Sequence, residues 1–143
     1  MNDCGPASSG LLPLLLRAGT AVQEHLEASL GPWGLSLAKL RALQQLAAAP
    51  QGLPLGHLAE RLCCVKSNVT QLVDRLEADG LVRRVPSPAD RRCVVAVITP
   101  AGRESFGRAG AAREHAEREM LERLSAPDRD RLVEILARLT AGA

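Results

Sequence analysis

Between positions 55 and 98, the spacing of apolar residues changes from the period of a helix to that of a strand. Residues 55–62 and 66–79 repeat apolar side chains every three or four positions, which predicts two short amphipathic helices. The positions expected to be buried are Leu55, Leu58, Ala59 and Leu62 in the first helix and Val69, Leu72, Val73 and Leu76 in the second. Gly80 fits the position just after the second helix, where a positive φ favours glycine.

The residues after Gly80 have the pattern of a β-hairpin. Residues 82–86 and 92–98 are rich in β-branched side chains, and they flank the polar residues 87–91. This arrangement predicts two strands joined by a long tip. Two short helices, a tight turn and a basic hairpin are together typical of a winged helix-turn-helix.

Helical spacing also predicts elements on both sides of this unit. On the N-terminal side we expect a helix from about Pro13 to Leu30, and Ser36 has the side chain of an N-cap for the next helix. One or two residues near Leu53 favour a short strand that pairs with the hairpin.

On the C-terminal side, Thr99 and Pro100 have the order of an N-cap and a first helical residue, and the helix is predicted to continue to about Leu124. Glycines weaken the start of this helix by about 1 kcal/mol each relative to alanine, so packing must support it. They are Gly102, Gly107 and Gly110. Ser125 to Asp128 matches a capping box with Asp in place of Glu, and it begins the last helix.

These elements predict a mainly α-helical fold with a small β-hairpin wing, that is, an α+β winged helix-turn-helix core with added N- and C-terminal helices. Residues 1–10 are small, polar and rich in glycine and proline, so we expect a flexible tail. Residues 11–143 then form a single domain. Within it, residues 36–98 form the winged-helix lobe, and the outer helices occupy residues 11–31 and 100–141.

The charge of the chain is concentrated in the winged-helix segment. The formal net charge is only +2, yet residues 55–98 carry seven basic and five acidic groups, so the whole excess lies there. A basic patch within a nearly neutral domain is typical of proteins that bind nucleic acid. The aromatic residues are Trp33 and Phe106, which argues against recognition of single strands by base stacking.

The second short helix carries the residue types that read DNA on the side opposite its apolar stripe. Asn and Gln pair with adenine, Arg and Lys pair with guanine, and Ser and Thr bond either bases or backbone. The predicted recognition set is Lys66, Ser67, Asn68, Thr70, Gln71 and Arg75. The alternative is an ordinary solvated helix face, in which Ser67 only caps the helix and Arg75 touches only phosphate.

Several motifs in this segment resemble the MarR family of bacterial transcriptional regulators. They are L-A-E-R-L, S-N-V-T-Q-L-V-D-R-L-E-A-D-G-L-V-R-R, D-R-R and I-T-P-A-G-R. The resemblance implies a homodimer that binds a pseudo-palindromic operator in double-stranded DNA, usually as a repressor. It also implies a small-molecule effector, sensed between the dimer helices and the DNA-binding lobe. The outer helices at 11–31 and 100–141 would then be dimerisation helices, whereas the alternative is a bundle within one chain.

By the same resemblance, the recognition helix at 66–79 enters the major groove and the wing at 87–92 enters the minor groove. Arg92 matches the family's D-x-R pattern and is the better candidate for minor-groove insertion, with Arg91 beside it. Asp90 would orient Arg92 through a charge-assisted bond. The alternative is an exposed turn with an ordinary ion pair. For the neighbouring Arg83 and Arg84, a phosphate contact and a plain surface charge are equally compatible with the sequence.

Two other functions are compatible with these residues. A winged-helix module can bind another protein without reading DNA, and a steep dependence of affinity on salt would argue against that reading. Cys63 and Cys64 lie between the two short helices, where a thiol-based redox switch could tilt the second helix. The alternative role for these cysteines is that of small buried hydrophobic residues.

Other classes of protein find little support in the sequence. No Gly-rich phosphate loop, nucleophile–base pair or metal-binding spacing of cysteine and histidine is present, so we expect neither an enzyme nor a bound metal or cofactor. No segment is apolar and long enough to span a membrane, and no basic segment precedes the short apolar run near Leu11. We therefore expect a cytoplasmic protein that does not bind membranes.

Overall fold

The computed structural model describes residues 10–141, so the predicted flexible tail lies outside the described residues except for Gly10. These residues form six α-helices, three short strands and a 3-10 helix at Gly31–Trp33. In chain order the elements are α1 (Leu11–Leu30), α2 (Leu37–Ala47), β1 (Leu53–Pro54), α3 (Leu55–Leu62), α4 (Lys66–Ala78), β2 (Val82–Pro86), β3 (Val94–Ile98), α5 (Pro100–Leu121) and α6 (Ala126–Thr140). The predicted fold class is confirmed.

Side-chain caps fix the starts of three helices. The Ser36 hydroxyl accepts a hydrogen bond from the backbone N–H of Lys39 at the start of α2. Thr99 caps α5 in the same way, and Ser125 caps α6. Each cap satisfies one of the free N–H groups that begin a helix. All three predicted caps are therefore confirmed, although α5 ends at Leu121 rather than near Leu124.

The three strands form an antiparallel sheet in the order β1-β3-β2. Leu53 pairs with Ala96, which confirms the short strand expected near Leu53. The second hairpin strand, however, begins at Val94 and not at residue 92. The backbone N–H of Cys93 donates to the Asp90 carbonyl at 2.9 Å, and that of Arg92 donates to the Asp90 carboxylate at 3.0 Å. These bonds fold residues 92 and 93 into the wing tip.

The hydrophobic core lies mainly in the winged-helix lobe. The largest fully buried side chains are Leu30, Leu43, Leu46, Leu58, Leu76, Val69, Val73 and Val82. They come from α1, α2, α3, α4 and β2, so the two short helices and the wing are anchored on one core. Among the described residues, no polar or charged residue is buried. The interior of the lobe is thus apolar, and its polar side chains lie at or near the surface.

The outer helices α1 and α6 leave large apolar surfaces exposed. Every residue of α6 is exposed, including Leu132, Val133, Leu136 and Leu139. The N-terminal half of α1 is similarly uncovered, with Leu12 at 68% and Leu16 at 73% exposed. Within one chain these stripes are not packed into a bundle. No helix in residues 10–141 meets the length and hydropathy that a membrane crossing requires.

Candidate nucleic-acid interface

The turn between α3 and α4, which includes Cys63, sets the direction of α4, the predicted recognition helix. This residue adopts a left-handed conformation with φ 52°, and it ends α3. Helix α4 then begins at Lys66 and buries Val69, Val73 and Leu76 against the lobe. Because these residues share one face, the opposite face of α4 is directed to solvent.

The exposed face of α4 carries most of the predicted recognition set. Lys66, Ser67, Asn68, Gln71 and Arg75 are all exposed. Ser67 lies inside the helix, since Val65 occupies the N-cap position, so Ser67 is not a cap.

Thr70 differs from the rest of the recognition set. Its side chain is half-buried, and its hydroxyl donates to the Lys66 carbonyl at 3.0 Å. The Thr70 hydroxyl can therefore still accept a hydrogen bond, but its proton is used within the helix.

The two arginines of the wing tip are exposed, as expected, but the contact of Arg92 with Asp90 differs from the predicted one. Arg91 and Arg92 are exposed. The Asp90 carboxylate bonds the backbone N–H of Arg92 and not the guanidinium, and its other oxygen lies 3.8 Å from the Cys93 sulfur. The predicted orientation of Arg92 by a charge-assisted bond to its side chain is therefore wrong. Asp90 shapes the turn that carries Arg92, because a short acidic side chain readily bonds backbone two residues on.

Arg84 takes part in a contact that the sequence analysis missed. Its backbone N–H donates to Glu77 Oε1 at 2.9 Å, and its guanidinium forms ion pairs with Glu77 and Asp74 on α4. The hydrogen bond from the Arg84 backbone is the main cause that lowers the pKa of Glu77. Burial alone would lower the pKa of Arg84, but its bonds with Asp74 and Glu77 raise it. The neighbouring Arg83 is exposed.

The cysteines near the reading helix are exposed and not buried as small hydrophobic residues. Cys63, Cys64 and Cys93 are free thiols accessible to solvent. Access to solvent is one requirement of a reactive thiol. Cys4 lies outside the described residues. Within residues 10–141, no group of three or more His, Cys, Asp or Glu side chains is arranged to hold a metal ion.

A cleft lies between the winged-helix lobe and the outer helices. It encloses about 300 Å³ between α2 and α5. Its lining residues are Leu37, Leu40, Arg41, Gln44, Phe106, Gly110, Arg113 and Glu114. A second groove of about 440 Å³ between α1 and α2 shares Leu37 and Arg41 with the first. The lining combines apolar side chains with two arginines and one glutamate, and its excess positive charge suits a small molecule that carries both an apolar body and an anionic group.

The fold and the exposed basic face define a winged helix-turn-helix protein of the DNA-binding class. A model of the MarR family matches residues 35–94. The transcriptional repressor Rv2887 of Mycobacterium tuberculosis is 31% identical over 126 residues, which cover 88% of this chain and 90% of that repressor. The chain belongs to the MarR family.

Solved structures agree with this assignment. The transcriptional repressor CouR bound to a 23-mer DNA duplex has a TM-score of 0.83 and 31% identity, over 97% of this chain and 98% of that one. CouR from Rhodococcus jostii RHA1 bound to p-coumaroyl-CoA has a TM-score of 0.76 and 26% identity, over 92% of each chain. Rv2887 in complex with salicylic acid has a TM-score of 0.70 and 30% identity, over 94% of this chain and 99% of that one. This protein is a DNA-binding transcriptional regulator, and its relatives are regulators rather than enzymes.

Proposed function

We propose that the protein is a homodimeric repressor of a pseudo-palindromic operator, with α4 in the major groove and the wing in the minor groove. The observation that carries this proposal is the arrangement of α4 on the lobe. Its buried face fixes the helix, while Asn68, Gln71 and Arg75 remain exposed on the other side. These side chains are suited to hydrogen bonds with base edges. Arg91 and Arg92 extend the basic surface at the wing tip.

The exposed apolar faces of α1 and α6 support a dimer. They include Leu12, Leu16, Val133 and Leu139, each more than half exposed. Apolar surfaces of this extent in a soluble protein usually mark an interaction site. A two-fold dimer would present two α4 helices to one side of the duplex, with half-sites about 34 Å apart. The helices that carry these faces are those that the family resemblance assigns to dimerisation.

Selection from a random-sequence duplex library, at two salt concentrations, tests this function. We expect recovery of a palindrome whose half-sites are about one helical turn apart. We also expect an affinity that falls steeply as salt rises, because bound phosphates release counterions. Recovery of no sequence by a folded protein, with weak dependence on salt, would instead favour a protein-interaction module.

Arg92→Ala is expected to raise the Kd for the selected operator about 5-fold to 150-fold, which corresponds to the loss of one groove contact of about 1–3 kcal/mol. Narrow minor grooves concentrate negative potential, and the exposed Arg92 guanidinium is free to enter one. Fluorescence anisotropy with a labelled operator measures the change, and sedimentation shows whether the assembly is intact. Arg108→Ala on α5 is the control, because it removes an equal charge far from the wing. An unchanged Kd for Arg92→Ala would exclude this arginine from the interface.

We further propose that a small anionic effector binds in the cleft between α2 and α5. Arg41 and Arg113 line this cleft beside the apolar Leu40 and Phe106. The relatives bound to salicylic acid and to p-coumaroyl-CoA hold ligands with anionic groups and aromatic rings. An effector at this position lies between the outer helices and the lobe, so its binding would favour dimers with a different separation of the two α4 helices.

Salicylate at millimolar concentration is expected to release the selected operator from the wild type and not from Arg41→Ala. Arg41 borders both grooves, and its loss removes a cation that would pair with a carboxylate. Operator affinity without salicylate should stay within about threefold, because Arg41 lies outside the reading surface. Arg108→Ala should respond like the wild type. Equal release of wild type and Arg41→Ala would place the effector elsewhere.

A further inference from the structure

Arg84 joins the first strand of the wing to the reading helix by contacts from both its backbone and its side chain. Its N–H donates to Glu77 Oε1 at 2.9 Å, and its guanidinium bridges the Glu77 and Asp74 carboxylates. The two acidic residues lie three positions apart on α4, so they share one face of that helix. We call the contact among Asp74, Glu77 and Arg84 the helix–wing clamp.

The clamp lies at a position along β2 where it can hold the wing in a fixed orientation relative to α4. Val82, at the start of β2, is buried in the core, whereas Pro86 at its end is exposed. Arg84 lies midway along the strand, opposite Ala96 of β3, and it is tied to α4. Strand β1 pairs with β3 only as far as Val95, so the tip of the hairpin has two strands, little stability of its own and a dependence on such anchors. Removing the clamp would let the tip pivot relative to α4.

The surroundings of Arg84 do not suit a phosphate contact. Its side chain is only 25% exposed, whereas the side chains of Asp74 and Glu77 are 57% and 39% exposed. A phosphate would therefore meet the carboxylates before it met the guanidinium. The charge of Arg84 is also already matched by the two carboxylates, which accept charge-assisted hydrogen bonds from its guanidinium. Successive residues of a strand point to opposite faces, so the exposed Arg83 is directed away from the clamp.

We propose that Arg84 is a positioning residue for DNA binding, which fixes the wing at the angle that lets α4 and the wing tip occupy adjacent grooves together. Asp74 and Glu77 act with it, although they are acidic residues on a DNA-reading helix. The proposal rests on the placement of α4 and the wing proposed above. It assigns a favourable role in DNA binding to carboxylates that simple electrostatics would count as unfavourable.

Neutralising the basic and the acidic side of the clamp in turn tests the proposal, because the direction of the change in operator Kd distinguishes a positioning role from a phosphate contact. Arg84→Gln is expected to raise the Kd for the selected operator about fivefold, since exposed ion pairs are individually modest. The slope of log Kd against log salt should not change. Glu77→Gln should also weaken binding, although it removes a negative charge. Arg83→Gln is the matched control, because it removes the same charge one residue away without touching the clamp.

Hydrogen exchange of the DNA-free protein tests the clamp without any operator. The backbone amides of residues 83–85 and 94–97 are expected to exchange at least fivefold faster in Arg84→Gln and Glu77→Gln than in the wild type or Arg83→Gln. The double variant Glu77→Arg, Arg84→Glu keeps the net charge and should recover part of the protection. These exchange rates test the clamp even if the wild type selects no operator. Failure of the wild type to select an operator would contradict the proposed function and not the clamp.

Two results would overturn the positioning role. The first is a pair of observations that together describe a phosphate contact. In Arg84→Gln the slope of log Kd against log salt falls by about one, and Glu77→Gln binds the operator as well as or better than the wild type. The other is wing exchange that is unchanged in Arg84→Gln. Faster exchange with weakened binding in both clamp variants, at a constant salt slope, would support it.

Discussion

Leu136→Asp is expected to convert the proposed dimer to a monomer and to weaken binding to a two-half-site operator by about 100-fold or more, since linked half-site contacts gain that much from effective concentration. Leu136 lies at the centre of the apolar stripe of α6, with Val133 and Leu139 on the same face. An unpaired carboxylate in an apolar interface is strongly unfavourable. Analytical ultracentrifugation measures the assembly, and titration of operator DNA measures the affinity.

The matched control for this variant is on the opposite face of the same helix. Glu134→Gln changes a charge without touching the apolar stripe, so the dimer and the operator affinity should both be retained. Affinity for an isolated half-site should be nearly equal in the wild type and Leu136→Asp, because the lobe is unchanged. A Leu136→Asp protein that remains a dimer with full operator affinity would show that α6 does not form the interface.

The lobe could be predicted from the sequence because its signals are local. The hydroxyls of Ser36, Thr99 and Ser125 cap helices within a few residues of themselves. Gly80 adopts the positive φ expected after a helix, at 73°. The periods of apolar residues then indicate which face of each element is buried, and this is sufficient to identify two helices and a hairpin on one core.

Contacts between distant elements could not be predicted in the same way. The spacing of apolar residues shows that Arg84 lies on the hairpin and that Asp74 and Glu77 lie on a helix. It does not show that these three side chains are in contact. The same limit applies at the wing tip, where the predicted bond between Asp90 and the Arg92 guanidinium is replaced by one to the backbone. Side-chain partners depend on tertiary packing, and so the sequence indicated only a phosphate contact or a plain surface charge for Arg84, and not the clamp.

Gly102→Ala is expected to destabilise the lobe by about 3 kcal/mol, at the upper end of the usual cost of overpacking. A Cβ atom at this position would lie 2.1 Å from the Leu81 carbonyl oxygen and 2.8 Å from Ile98 Cγ1. The Leu81 oxygen cannot easily move away, because it accepts the backbone N–H of Thr99 at 3.0 Å. The Thr99 hydroxyl in turn bonds the Gly80 carbonyl at 2.7 Å. Relief of the clash would therefore disturb the junction between α4, the wing and α5.

Gly107→Ala in the same helix separates this clash from the general effect of alanine on helices. Apart from its chain neighbours and the adjacent backbone of its own helix, no atom of the described residues lies within 4 Å of a Cβ built on Gly107. Since alanine favours helix over glycine by about 1 kcal/mol, this variant should be as stable as the wild type or slightly more so. Urea unfolding at one fixed protein concentration compares the three proteins, because the stability of the proposed dimer would depend on concentration. Opposite shifts in the free energy of unfolding would show that Gly102 serves close backbone packing, whereas equal shifts would contradict the predicted clash.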